Sequence, residues 1–268
     1  MYNFILMPMK NKRLICIDIL SSLAVVFILY ACTDKIIETE SADVATTRAL
    51  NEVAFNKYYK VLPGTPEWEK LESGEEMWKV CQLPENMLRE LSTEELIEAC
   101  LQFPLAYDFT AFDDERSAID RMIKEFNGLS ELKVRNDATI KMIEAYQNME
   151  YSDKLIKEEE VSSDAKCLGL TIAYWELVMA DNDFLRKMNA EEKDFLKSVA
   201  LGKYQMKLEH SDYFGLRNIE HSLLICAELA LAGDKSFSEE ERQLLVGYTH
   251  VYTLYAPEGL EYISRLVF

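Results

Sequence analysis

The sequence predicts an all-α protein, either a multi-helix bundle or a stacked, solenoid-like array of helical hairpins. Three observations carry that expectation. Side chains able to cap a helix stand three places before a glutamate at several points, apolar residues recur at helical spacing, and no run alternates long enough to make a strand. With 9 Gly and 6 Pro in 268 residues, the many turns of a β-sandwich would be hard to supply.

Residues 1–31 read as a secretion signal. Lys10, Lys12 and Arg13 precede an apolar stretch from Leu14 that closes on Leu29-Tyr30-Ala31-Cys32, and either Met1 or Met9 serves as the start. That closing run predicts cleavage before Cys32 and its acylation, with palmitate as one of the chains, so that the mature protein hangs from a bilayer. Leu14 to Ala31 also approaches the roughly 20 residues of a transmembrane helix. Asp18 inside the stretch and Cys32 at its end favour the lipoprotein, although Tyr30 is bulkier than such sites usually carry. Residues 32–47, with Asp34, Glu38, Glu40 and Asp43 and little periodicity, form an acidic tether. The expected address is the cell envelope: lipid-anchored at the outer membrane, on its periplasmic or outer face.

Removing residues 1–31, which carry three cations and one anion, leaves 237 residues at a formal charge of −20. Such a body repels nucleic acid and anionic lipid surfaces, so no nucleic-acid partner is expected and attachment falls to the acyl chains.

The body, residues 48–268, is read as helical throughout. Ser73/Glu76, Ser92/Glu95 and Ser238/Glu241 match the reciprocal capping pattern, Asn189/Glu192 is a weaker version, and Pro66 and Pro84 suit first-turn positions. Apolar stripes follow. They are Ile119, Met122, Ile123 and Phe126, with Gly128 expected as a left-handed stop; Ile140, Ile143 and Tyr146; Leu168, Ile172, Trp175 and Met179; Phe195, Val199 and Met206; and Ile219, Leu223, Cys226 and Ala230. Leu88–Glu95 echoes Leu185–Glu192, each pairing a helix end with a capped start; the separation exceeds that of helical repeats, so similar boundaries explain it. A sub-boundary is placed near residues 157–164, where Glu158-Glu159-Glu160 and Ser162-Ser163 interrupt the pattern.

The series Thr65-Pro66-Glu67-Trp68, Cys81-Gln82-Leu83-Pro84, Leu91-Ser92-Thr93-Glu94-Glu95-Leu96, Phe103-Pro104-Leu105 and Phe126-Asn127-Gly128-Leu129-Ser130-Glu131-Leu132 resembles a group of uncharacterised α-helical lipoproteins from Gram-negative gut anaerobes. The resemblance covers the first third to half of the mature chain. It implies an address and a fold, and it transfers no activity and no functional residue.

Motifs that impose local spacing are missing. His210, His221 and His250 form no HExxH, and there is no GxSxG, P-loop or GxGxxG. Asp181, Asn182, Asp183 and Glu192 begin a calcium-loop pattern that Leu185 and Arg186 break. Asp113 to Glu115, beside Asp108, suit a helix N-terminus better than a metal. Neither metal nor cofactor is expected, and no catalytic residue can be named. Cys81, Cys100, Cys167 and Cys226 could pair in three ways, but their apolar helical neighbours favour free core thiols.

Tyr248, Tyr252 and Tyr255 share a helical stripe that is read either as core or as a row for stacking a ligand. The functional expectation is a non-enzymatic interaction module that takes a protein, peptide or glycan. An envelope-polymer hydrolase with acidic catalysts and a structural envelope protein without a ligand are the alternatives.

Overall fold

In the computed structural model the described residues are 56–152, 168–233, 236–251 and 257–268. Cys32, the tether, Cys167, the boundary near residues 157–164, Tyr252 and Tyr255 lie outside them. The described part is all helical, and no strand occurs among the described residues. None of its helices is long and apolar enough to cross a membrane. Asn56–Phe268 form one compact unit.

The first half is a cluster of short helices: α1 (Gly74–Val80), α2 (Glu85–Glu90), α3 (Thr93–Leu101), α4 (Glu115–Glu125), α5 (Asn127–Leu132) and α6 (Ala138–Gln147), with a 3₁₀ turn at Asp108–Ala111 before α4. The second half holds α7 (Leu168–Met179), α8 (Asn182–Lys187), α9 (Ala190–Glu209), α10 (Ser211–Ala232), α11 (Glu239–Val251) and α12 (Pro257–Val267).

The reciprocal capping pattern holds at three of the four expected starts, and Pro84 stands at the N-cap of α2 rather than in its first turn. Ser92 Oγ accepts from Glu95 N while Glu95 accepts from Ser92 N. Asn189/Glu192 and Ser238/Glu241 repeat the reciprocal pair. Ser73 accepts from Glu76 N, but the Glu76 carboxylate reaches one residue further back, to Glu72 N. Leu91 (φ −67°, ψ 134°) and Met188 (φ −68°, ψ 131°) adopt the same extended turn before their capped helices. The sequence echo is thus a recurring junction rather than a repeat.

Gly128 corrects its expectation. It is not a left-handed stop but the second residue of α5, and α4 ends because Phe126 is extended (φ −88°, ψ 115°). A Cβ at residue 128 would lie 2.7 Å from Phe126 Cε1 and 3.2 Å from Cys100 Sγ, so what this position needs is the absence of a side chain. The neighbouring Asn127 ties α5 to the segment before α2, accepting from Leu83 N (2.9 Å) and donating to Leu83 O (2.7 Å).

Helix α7 is buried at ten of its twelve positions, more than the four-residue stripe read from the sequence, because it is packed between α10 of the second half and α4 and α6 of the first. A helix apolar on every side belongs inside. Around it, α10 packs against α7, α9, α11 and α12, and α7 also meets α4 and α6. Ile140 is only partly buried, and Met142 takes its place on the inner face of α6 beside Ile143 and Tyr146. Cys81, Cys100 and Cys226 are free thiols, each fully buried. Burial pushes Cys81 and Cys226 up to about 12.

Candidate functional site

The polar residues of α10 organise the molecule. Gly215 sits within that helix at φ +69°, ψ 165°, which is left-handed backbone that favours glycine, and it breaks the first turn, Ser211–Phe214, from the long helix that follows. From the first turns of that long helix, Arg217, His221 and Ser222 reach two buried carboxylates on other helices.

The first carboxylate is Glu176 on α7, fully buried. Its Oε1 accepts from the Tyr146 hydroxyl (2.5 Å) and the Ser222 hydroxyl (2.6 Å), and its Oε2 from Lys207 Nζ (2.6 Å). Lys207, equally buried, also donates to Asn218 O at 2.7 Å. Burial pulls the Lys207 ammonium down against the opposing attraction of Glu176. Beside it, Lys203 Nζ donates to Gln147 O (3.0 Å) and to Met149 O at the end of α6, and burial lowers it to about 8. Glu176, Lys207, Tyr146 and Ser222 are all fully buried, so their work is to lock α6, α7, α9 and α10 together, while Lys203 stands at the edge of a small open pocket.

The second carboxylate is Glu115, the first residue of α4. Asp114 caps that helix by accepting from Arg116 N and Ser117 N, and the Ser117 hydroxyl chiefly, with these amides, holds its carboxyl below the usual range. Glu115 turns inward and is 3% exposed. Its Oε1 accepts from Arg217 Nε (2.8 Å), and its Oε2 lies 2.9 Å from His221 Nε2. Arg217 and His221, one turn apart on α10, face the same side. Burial pushes the Glu115 carboxyl up, but the hydrogen bonds and charges of His221 and Arg217 outweigh it and leave it lowered.

This pair forms the floor of an open cleft of about 470 Å³. Phe109, Ala173 and Phe214 add buried apolar surface, while Phe112 (44% exposed), Thr110, Asp113 and Arg217 stand at the rim. Asn218 Nδ2 donates to Gly169 O (2.8 Å), fixing α10 to α7, and its Oδ1 is shielded from solvent and takes no hydrogen bond from the described residues. His221 Nδ1 is shielded from solvent as well.

The sequence reading placed Asp113–Glu115 at a helix start, where they are, but it did not foresee that Glu115 faces inward. His221, which forms no HExxH in the sequence, is part of this site. Its real partner is 106 residues away, and the only local hint was the Arg217/His221 spacing. Tyr248 is 3% exposed and donates to Glu220 O (2.7 Å), so this ring of the proposed stacking row is a core ring. Asp181 and Glu192, the ends of the broken calcium pattern, serve as the cap of α8 and in the capping box of α9. No group of three His, Cys, Asp or Glu side chains among the described residues is placed to hold a metal ion. Comparison with protein-family models, characterised proteins and solved structures finds no match to this chain.

Proposed function

We propose that this chain is an envelope lipoprotein, tethered through acyl chains on Cys32, whose helical body binds another molecule without turning it over. The binding place is the cleft between the 108–115 segment and α10. One observation carries the choice of binding over catalysis. The cleft is open, yet the single His–Glu pair beneath it is engaged internally: Nε2 of His221 faces Glu115, and Nδ1 is shielded from solvent. A general base must come within hydrogen-bond reach of the proton it takes, and this imidazole offers the cleft no nitrogen. The open rim instead combines an exposed aromatic ring with polar side chains, the composition of a recognition site.

The anchor and the binding are tested separately. Labelled palmitate is expected in the wild-type chain and absent from Cys32→Ala; label retained in that variant contradicts the anchor. Incubated with peptidoglycan and glycan fragments, the full chain is expected to retain a ligand and return it chemically unchanged. Turnover abolished by changing one cleft carboxylate to its amide would move the assignment to a hydrolase.

A further inference from the structure

We infer that the cleft takes a neutral saccharide, with one sugar ring lying on Phe112; this rests on the binding reading above. The argument begins with what the floor withholds. Both Glu115 oxygens are taken by Arg217 and His221, so the floor is shaped by an internal ion pair and offers a ligand chiefly apolar surface, from Leu170 and the edge of Phe214. Hydrogen-bonding groups that solvent can reach lie at the rim, on Thr110, Asp113 and Arg217. A ligand that fits must therefore carry an apolar face inward and a polar edge outward. A pyranose does this, because its axial C–H bonds make one face apolar while its hydroxyls radiate from the edge.

The rim side chains suit that edge. A carboxylate and a guanidinium each present paired atoms in a plane, the arrangement that meets two neighbouring hydroxyls at once. Charge removes the competitors. The rim pairs one carboxylate, Asp113, with one guanidinium, Arg217, whose Nε is already bonded to Glu115, so it matches neither an anion nor a cation. An extended peptide would look for an open sheet edge, and the described residues contain no strand. The cleft, at about 470 Å³, falls within the usual range for small-ligand sites.

The test uses the full chain in detergent micelles, titrated with maltose, cellobiose, lactose and chitobiose, with spermidine and a Leu/Phe-rich tripeptide as non-sugar probes. Saturation-transfer NMR is expected to give transfer to the ring C–H protons of at least one disaccharide, and Phe112→Ala to weaken its binding by roughly fivefold or more, the scale of one lost aromatic contact. Phe112→Tyr should restore it. Phe112 is exposed, so an unchanged melting temperature separates lost contact from lost fold. A disaccharide that binds equally well to Phe112→Ala overturns this site. Binding of spermidine or the tripeptide, lost in Phe112→Ala with no sugar bound, overturns the saccharide and leaves the binding reading standing. If no probe binds the wild-type chain, both fall.

Discussion

Glu176 and Glu115 are both buried carboxylates met by cations, and both draw partners from the first turns of the long helix in α10, yet they serve different ends. Around Glu176 the cation is as buried as the carboxylate, whereas around Glu115 the Arg217 side chain is 43% exposed. Similar chemistry thus becomes internal bracing in one place and the floor of an open cleft in the other. What decides is whether the last polar group of the chain of contacts reaches water.

The largest expected effect lies in the sealed cluster. Lys207→Met leaves the Glu176 carboxylate buried without its cation and should cost about 3–5 kcal/mol in urea unfolding. Adding Glu176→Leu should recover much of that, because a buried pair replaced by apolar groups of similar volume is often neutral. A double variant no more stable than the single would mean that Tyr146 and Ser222, left without their acceptor, dominate the loss.

The second effect belongs to Glu115 and depends on pH. Glu115→Ala should cost about 1–3 kcal/mol near neutrality. Because the folded carboxyl is lowered, its contribution is fully present above the ordinary carboxylate range and is lost as pH falls through the folded value. Melting temperatures of wild type and variant should therefore converge on acidification; a gap that stays constant to pH 3 contradicts an ionised Glu115.

Between these in kind, and smaller, is a helix start. Ser92→Ala removes one half of a capping box on the surface and should cost about 1 kcal/mol. The smallest effect falls at the rim, where Phe112→Ala should change stability by less than about 1 kcal/mol, since the ring is 44% exposed and braces no buried charge. Cys81, Cys100 and Cys226 complete the comparison as an all-interior control. Their thiols should be silent to a thiol reagent in the folded chain and react once it is denatured without reductant.

Local interactions explain what was legible beforehand. Ser92 and Glu95, or Asn189 and Glu192, are three residues apart, so one stretch of sequence contains the whole interaction and the helix start could be read directly. The stripes of α4 and α10 were legible for the same reason. Gly128 misled because glycine serves both a left-handed turn and a close approach, and only the fold brings the Phe126 ring against it. The cleft was invisible: Glu115 meets Arg217 and His221 across more than a hundred residues, and an acidic run at a helix start gives no sign of which member turns inward. Tyr248 shows the converse, since a tyrosine stripe looks the same whether its rings face a ligand or the core.

The contrast between a sealed brace and an open site is tested most directly by one set of binding isotherms, recorded with the disaccharide that gives the strongest NMR transfer. The Glu176→Leu/Lys207→Met chain should bind within about twofold of wild type, because the two carboxylates have no side-chain partner in common and Lys207 reaches only the backbone carbonyl of Asn218. Phe112→Ala should bind roughly fivefold more weakly or worse at an unchanged melting temperature. Affinity lost in the double variant and kept in Phe112→Ala would contradict the account.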